Sequence, residues 1–389
     1  MIGNKYSFFS LIKKFLLFFI ILFIVDIVFF YFLPDDIKLK LYNNRAHRIK
    51  SYYYHHDLRP MASFYDHWGY QKYQIFTNNL GFKDKSNRKV NFKNKNILFI
   101  GDSFTEGVGL KYEDSFVGLI EENLKKNNND VEVLNAGVQS YSTGIYLSKI
   151  FHLIERKNLP ITDIVVVISG GDIYDDYYKY LEVNSKYILD HIDNKNKHVI
   201  NIINFIKSNT LTYQIISRIT PPKVIPELIK SYFDKKKYKI NYDEKERELL
   251  LISNQEIENM KFLYRNDYAY LYSIDEFENW GKDAIKKSIL NIERIYKICK
   301  KQNINLNIFY LYEPVLLLRK PNKDQFNFLI NSFKNLEKKN LSVNFINDLY
   351  SEYEDSYDAY KDLFFINDIH LNKKGNSRVA KEILKKINF

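Results

Sequence analysis

A serine follows glycine and aspartate directly after a short apolar run. Residues 96–101 have the pattern of a buried strand, and Asp102 and Ser103 come next, with Gly107 a few residues later. In an open parallel sheet, ligands bind beyond the carboxyl ends of the strands, so the Ser103 hydroxyl would be presented there. Its backbone N–H would face any oxyanion that forms. On its own the triplet is a weak signal, which a helix N-cap also explains.

Two further predicted strands end in residues that would lie at the same edge of the sheet. Asn135 and Gly137 come at the end of the second strand, where a glycine presents a bare backbone N–H. Gly171 and Asp172 follow the third strand. Because the carboxyl ends of parallel strands share one edge, these positions are expected near Ser103.

An acid and a histidine precede the last predicted helix. Asp368 lies two residues before His370, which suits a base and the group that orients it. The pattern would supply a nucleophile, Ser103, and a base, His370, that takes the proton of its hydroxyl. Asp368 would hold the ring and offset its positive charge.

With these residues the chain resembles the SGNH/GDSL hydrolase family, in a membrane-anchored bacterial form. The resemblance covers residues 95–172 and 276–389, with further likeness at 54–60 and 77–82. It implies an α/β fold, a three-layer α/β/α sandwich with a parallel sheet, and ester chemistry that needs no metal or other cofactor. It places the oxyanion hole at the backbone N–H groups of Ser103 and Gly137, with Gly171 at the third position.

The sequence departs from the family pattern at two positions. Gly171 stands where the family usually has an asparagine whose amide is an oxyanion donor, and losing one such donor costs about 10²–10³ in rate. The usual spacing of acid and histidine would put the acid at position 367, which is Asn367. An asparagine cannot stabilise the imidazolium charge, so we assign the role to Asp368, at a spacing found in some relatives.

Four residues around these motifs are candidates for contact with the substrate: Asp102, Asn135, Asp172 and Tyr174. Tyr174 opens a tyrosine-rich stretch whose aromatic faces would pack on sugars, although a solvated loop explains it equally well. His67 with Trp68, and Glu313 after the fourth strand, are weaker candidates for the cleft.

A metal site receives little support from the sequence. His55 and His56 with Asp57 supply only two adjacent imidazoles and one acid, so structural packing explains them better. The single cysteine, Cys299, excludes a disulfide framework and a cysteine-built zinc site.

Strands and helices alternate through the part of the chain that carries these motifs. This alternation predicts a parallel sheet with helices on both faces. The predicted strands are residues 96–101, 131–138, 163–169, 304–312 and 343–346, and the last helix is 373–387.

We divide the chain into three parts: a tail and anchor (1–34), a juxtamembrane extension that packs on the catalytic domain (35–94), and a hydrolase-like domain (95–389). This domain has an insertion or lid at about 173–275.

Residues 15–33 form an apolar run with one charge, Asp26. A membrane helix needs about 20 apolar residues, so the run predicts one crossing. Its bulky end favours an uncleaved signal anchor, and the basic tail before it favours a cytoplasmic N-terminus. We expect a single-pass membrane protein whose catalytic domain is extracytoplasmic, in the periplasm or at the cell surface.

Composition narrows the class of protein. The chain has 389 residues, a formal net charge of +11 and 46% hydrophobic residues, which is too apolar for a chain disordered throughout. The positive charge is spread out and accompanies no nucleic-acid-binding motif, so no nucleic-acid partner is expected.

The sequence therefore predicts a membrane-anchored serine esterase that acts on esters, with O-acetyl groups of cell-envelope glycans as the expected substrate. Two alternatives stay open. An O-acetyltransferase would use the same residues with a sugar hydroxyl as acceptor. A degenerate, non-catalytic protein would bind glycan or serve as a scaffold.

Overall fold

The computed structural model describes residues 3–33, 48–68, 71–127, 130–180 and 260–387, with scattered positions between 202 and 215. The chain forms two compact units. One comprises Met1–Lys50 and Asp193–Ile240, and the other Ser51–Ile192 and Asn241–Phe389. Every residue assigned above to catalysis lies in the second unit. Most of the lid predicted at 173–275 lies outside the described residues.

Helix α1 (Gly3–Phe32) belongs to the first unit. Its part Lys13–Phe32 is long and apolar enough to cross a membrane, by length and composition. Most of its large apolar side chains are exposed. The Asp26 carboxylate on this helix accepts a hydrogen bond from the backbone N–H of Thr212, at 3.1 Å.

The second unit is organised around an eight-stranded sheet with the order β10-β9-β8-β6-β7-β5-β4-β3. Strands β6 to β10 pair in parallel, and β3, β4 and β5 continue the sheet in antiparallel pairs. The described strands are β1 (Arg48–Ser51), β2 (His55–Leu58), β3 (Ser63–Trp68), β4 (Gln71–Thr77), β5 (Lys83–Asp84), β6 (Lys95–Gly101), β7 (Val131–Asn135), β8 (Asp163–Ile168), β9 (Asn305–Leu311) and β10 (Val343–Ile346).

Helices connect the parallel strands. The described helices after α1 are α2 (Ser103–Glu106), α3 (Phe116–Asn127), α4 (Thr143–Phe151), α5 (Gly170–Tyr174), α6 (Ile274–Glu276), α7 (Lys282–Lys301), α8 (Pro314–Leu318), α9 (Lys323–Lys334), α10 (Ser356–Leu363) and α11 (Lys373–Lys386). The five predicted strands and the last helix are all present, so the expected α/β fold class is confirmed. Strand β7 ends at Asn135, three residues before the predicted end.

Two apolar cores, one on each face of the sheet, make three layers. Successive side chains of a strand point to opposite faces, so Leu98 and Ile100 enter one core while Ile97 and Phe99 enter the other. Buried side chains of α4, α7 and α9 fill the first core. Those of α3, α10 and α11 fill the second. Burying each large apolar side chain contributes about 1.5–3 kcal/mol, so both faces hold the parallel strands in place.

The juxtamembrane extension contains a hairpin that the sequence patterns did not indicate. Strands β3 and β4 pair antiparallel from Ser63↔Phe76 to Trp68↔Gln71. Strand β5 then joins the sheet through Lys83↔Asn135. Strands β3 to β5 of the extension are therefore part of the central sheet. The sequence predicted that the extension packs on the domain but not that it adds strands to the sheet. The pattern was hard to recognise because buried polar residues such as Asp66 and Thr77 interrupt the apolar alternation.

Candidate active site

The turn that presents Ser103 is built locally. Strand β6 ends at Gly101, and the Asp102 side chain caps α2 by accepting the backbone N–H of Phe104 at 2.9 Å. The helix makes one turn and stops at Gly107, which has a φ of 70°. Ser103 thus occupies the first helical position, whose N–H has no partner within the helix.

Gly101 allows the strand to pass close to the helix that follows it. A Cβ at this position would lie 2.0 Å from the Thr105 hydroxyl oxygen and 2.8 Å from the Val167 carbonyl oxygen. No side chain fits there, so only glycine lets β6 lead into α2 at this angle.

Ser103, His370 and Asp368 meet at the carboxyl edge of the sheet. The Ser103 Oγ lies 2.8 Å from His370 Nε2, and His370 Nδ1 lies 2.5 Å from Asp368 Oδ1. The same Asp368 oxygen accepts the backbone N–H of His370 at 2.8 Å. Ser103 and His370 are buried, and the Asp368 side chain is 26% exposed. In this geometry His370 can take a proton from Ser103 while Asp368 stabilises the charge that results.

A tight loop delivers the acid and the base. The Phe365 N–H donates to the His370 carbonyl at 2.9 Å, and the Asp368 N–H donates to the Phe365 carbonyl at 3.2 Å. Asn367 takes a left-handed conformation in this loop, with a φ of 58°. Asparagine tolerates that conformation better than most residues. Asn367 therefore shapes the turn, whereas the contact with the imidazole Nδ1 is made by the Asp368 carboxylate.

The charge on Asp368 is favoured by its partners. Burial by itself would raise the pKa of Asp368, but hydrogen bonds from His370 and Trp68 lower the pKa below its ordinary value. The carboxylate thus stays charged opposite the imidazole at neutral pH.

The second oxyanion donor predicted from the sequence is engaged within the protein. The Gly137 N–H donates to the Asn135 side-chain oxygen at 3.1 Å. The Asn135 amide also donates to the Thr105 carbonyl at 2.8 Å, so this side chain ties the nucleophile helix to the loop after β7. Gly137 can bind an oxyanion only if its N–H is shared with or released by Asn135.

Gly171, predicted to lie at the third oxyanion position, has room for a side chain. A Cβ on Gly171 would meet the Ser169 and Tyr268 hydroxyl oxygens at 3.8 Å and a Glu313 carboxylate oxygen at 4.0 Å, all ordinary contact distances. A side chain therefore fits at this position, although the sequence supplies none.

Three of the four predicted substrate contacts are used inside the protein. Asn135 is clamped as described, and the second carboxylate oxygen of Asp102 accepts the Ser169 hydroxyl at 3.0 Å. Asp172 accepts the Tyr146 hydroxyl at 2.8 Å and the Ser169 N–H at 3.0 Å. All three are buried, and these contacts hold the loops of the site together. Their contact with substrate stays a prediction.

Tyr174, the fourth predicted substrate contact, lies in an aromatic cluster. Its ring centroid is 4.8 Å from that of Tyr178 and 5.6 Å from that of Trp280. Tyr178 is 45% exposed, so this cluster presents an aromatic face to solvent. Its role in binding sugar stays a prediction.

A buried glutamate lies behind the loop after β8. Glu313 accepts the Tyr268 hydroxyl at 2.7 Å and the Gly170 N–H at 3.0 Å. Burial raises the pKa of Glu313 to about 7, against these hydrogen bonds, which lower it. Burial also raises the pKa of Asp102 and of Asp172. Glu313 supports the Gly170–Gly171 backbone, a role that the sequence did not reveal.

The juxtamembrane extension reaches the site at three points. The Trp68 indole N–H donates to Asp368 Oδ2 at 2.8 Å. The buried Lys83 amine donates to the Gly107 and Leu110 carbonyls, at 2.8 and 2.7 Å, and fixes the loop after the nucleophile helix. At the third point, the buried Lys149 amine bridges Asp57 of the extension, at 2.9 Å, and the Ala136 carbonyl, at 3.1 Å.

In the part of the chain that the structure describes, no group of three or more His, Cys, Asp or Glu side chains is arranged to hold a metal ion. His55 and His56 contact each other through Nδ1 atoms 2.8 Å apart, and His56 Nε2 lies 2.8 Å from the Gln139 carbonyl oxygen. These two residues therefore take part in packing next to the loop after β7.

No protein-family model matches the sequence, and no curated protein gives a significant match. Several solved structures are similar. The esterase EstA from Pseudoalteromonas sp. is 12% identical with a TM-score of 0.38, over 75% of this chain and 96% of its own. A catalytic mutant of Axe2, an acetylxylan esterase from Geobacillus stearothermophilus, is 10% identical with a TM-score of 0.37, over 77% and 96%. A two-domain esterase active on acetylated mannans is 10% identical with a TM-score of 0.34, over 75% and 48%. At such identities and TM-scores, these likenesses identify no substrate and no catalytic residue in this chain.

Proposed function

We propose that this chain is a serine esterase that cleaves ester bonds through an acyl-enzyme. The observation that carries the proposal is the unbroken hydrogen-bonded series Ser103–His370–Asp368, with distances of 2.8 and 2.5 Å. Ser103 and His370 are 267 residues apart in the sequence, and neither packing nor helix capping requires the imidazole to lie on the serine hydroxyl.

In the first half of the reaction, His370 Nε2 takes the proton of Ser103 as Oγ attacks the ester carbonyl. The Ser103 N–H binds the developing oxyanion, and Gly137 assists when Asn135 shares its N–H. His370 then gives its proton to the departing alcohol, which leaves an acyl group on Ser103. In the second half, water loses a proton to His370 and attacks the acyl group. His370 then returns that proton to Ser103 Oγ as the bond from Oγ to the acyl carbon breaks and the acid leaves.

We place the substrate at a membrane, with O-acetyl groups of envelope glycans as the proposed class. The support is the apolar part of α1, Lys13–Phe32, which suits a single anchor. We propose that the second unit is extracytoplasmic, because the tail that precedes this segment is basic.

The test uses the full chain in detergent micelles with an activated acetyl ester and with an acetylated oligosaccharide. A serine esterase releases acetate from both, with a burst of alcohol that matches the enzyme concentration if deacylation is slow. If acetate instead appears on an added oligosaccharide, the protein is an O-acetyltransferase. Absence of turnover on both substrates would contradict the proposal.

A non-catalytic role is the second candidate, and the oxyanion side of the site favours it. Gly171 supplies no side-chain donor, and the Gly137 N–H is engaged by Asn135. A protein of this kind would bind the acetylated oligosaccharide without hydrolysing it. Titration calorimetry together with the acetate assay separates the two candidates.

A further inference from the structure

We propose that Trp68 is a positioning residue for the catalytic acid: its indole N–H fixes the Asp368 carboxylate so that one oxygen is held for His370. The inference rests on the proposed esterase function. It gives the juxtamembrane extension a direct part in catalysis.

The two carboxylate oxygens of Asp368 have separate partners. Oδ1 accepts the backbone N–H of His370 at 2.8 Å and lies 2.5 Å from Nδ1 of the same residue. Oδ2 accepts the Trp68 indole N–H at 2.8 Å. Rotation of the carboxylate would break bonds on both sides at once, so the indole prevents Oδ1 from turning away from the imidazole.

The Trp68 ring also contacts the imidazole itself. Its centroid lies 4.6 Å from that of His370, with the ring planes at 77°, an edge-to-face contact. The Phe104 ring lies 5.2 Å from the same imidazole. The base is therefore flanked by aromatic rings, which restricts its motion and keeps water from part of its surface.

Trp68 is held by a strand, which positions it better than a loop would. It is the last residue of β3 and pairs with Gln71 of β4. Strand β4 pairs with β5, and β5 pairs with β7 at Asn135, the residue that clamps the nucleophile helix. The indole and the nucleophile turn are thus connected through one sheet, and a site built on such elements is more precise than one built on loops.

A positioning role predicts a loss in kcat without a change in KM. In Trp68→Phe an aromatic ring is kept next to His370 but the N–H is gone, so water must take its place on Asp368, whose side chain is 26% exposed. We call the hydrogen-bonded series Ser103, His370 and Asp368 the relay. We expect kcat for the activated ester to fall about tenfold in the full chain, because the lost hydrogen bond stabilises the Asp368 charge in the relay. KM should be unchanged, because this hydrogen bond takes no part in substrate binding.

Tyr73→Phe is the matched control. Tyr73 lies in the partner strand of the same hairpin, and its hydroxyl donates to the Asp66 carboxylate at 3.3 Å. This variant also removes one hydrogen bond to a carboxylate, but away from the relay, so kcat should stay within about twofold of the wild type. A Trp68→Phe variant with wild-type kcat, or with a change in KM alone, overturns the inference.

A spectroscopic measurement does not depend on the folding of the Trp68 variant. The chain has two tryptophans, Trp68 and Trp280, so ¹⁵N-tryptophan labelling gives two indole N–H signals. Trp280→Phe assigns them. Asp368→Ala should shift the Trp68 signal and leave the Trp280 signal in place; an unshifted Trp68 signal overturns the inference even if Trp68→Phe does not fold. If the wild type hydrolyses no ester, the proposed function is contradicted. If the wild type is active but the Trp68 signal does not shift in Asp368→Ala, only this inference is contradicted.

Discussion

The two sides of the site differ in how completely they are built. On the relay side, Ser103, His370 and Asp368 are hydrogen-bonded in series, and the Trp68 indole N–H donates to the second carboxylate oxygen of Asp368. On the oxyanion side, the Gly137 N–H is bound to Asn135, and Gly171 brings no side chain.

This difference separates two requirements of acyl transfer. A serine must be activated by a base, and the oxyanion that follows must be stabilised; each contributes several powers of ten to the rate. In the proposed function, the hydrogen-bonded Ser103–His370–Asp368 series would meet the first requirement in full, and the backbone around Gly137 and Gly171 would meet the second in part. We therefore expect an enzyme that reacts readily with strong electrophiles but turns over slowly with unactivated esters.

Removal of the nucleophile should have the largest effect. In Ser103→Ala the relay has no hydroxyl to activate, so kcat for an activated acetyl ester should fall by about 10⁴-fold or more. The measurement is hydrolysis by the full chain in detergent. Ser86→Ala, a change at an exposed serine, should leave the rate unchanged. Residual activity within tenfold of the wild type in Ser103→Ala would place the chemistry elsewhere.

The choice between Asp368 and Asn367 as the partner of His370 is tested by a matched pair. Asp368→Asn keeps the shape of the side chain but removes the charge opposite the imidazolium, so kcat should fall by about 10³–10⁴-fold. Asn367→Gly keeps the left-handed turn at φ 58°, so kcat should change by less than about threefold. Equal losses in both variants would show that the loop shape, and not the Asp368 charge, is what matters.

The incomplete oxyanion side can be tested by a gain of activity. Gly171→Asn places an amide where a side chain fits, next to the Ser169 and Tyr268 hydroxyls. Since one oxyanion donor is worth about 10²–10³ in rate, we expect kcat for an unactivated acetyl ester to rise about tenfold or more. Gly171→Ala adds the same Cβ without an amide donor and should give no gain. No increase in the asparagine variant would mean that the third donor position is filled by another group.

The smallest expected effect concerns stability and pH. Burial raises the pKa of Glu313 from an ordinary 4.5 to about 7. Between these two pH values the folded state binds more protons than the unfolded state. The free energy of unfolding therefore falls as pH rises, and Glu313 accounts for about 3 kcal/mol of this fall over the whole interval. Glu313→Gln should therefore show a smaller loss of stability between pH 4.5 and 8, measured by urea unfolding. An unchanged pH dependence would argue against a raised pKa at Glu313.

Most of the parallel core could be predicted from the sequence because its strands are buried on both faces. Runs such as Ile97–Ile100 and Val165–Ile168 are almost wholly apolar, and the helices that cover them have apolar residues at helical spacing. The same regularity predicted Ser103 and Gly137 at one edge, because the carboxyl ends of parallel strands coincide. His370 was recognised instead from its spacing to Asp368 before the last helix.

The hairpin and its contacts could not be predicted in this way. Trp68 and Asp368 are 300 residues apart, and no periodicity in either segment indicates that they meet. The engagement of Gly137 by Asn135 is equally invisible, because it depends on the conformation of a three-residue turn. The hydrogen bonds by which Asp102 and Asp172 hold loops are also not visible in the sequence, because their partners come from other segments of the chain.

The most direct test of the account is labelling of the full chain with a fluorophosphonate probe, which forms a covalent bond only with an activated serine. We predict one label per wild-type chain, attached to the peptide that contains Ser103, and no label on the Ser103→Ala variant. An unlabelled wild type, or equal labelling of both proteins, would contradict the claim that His370 activates Ser103.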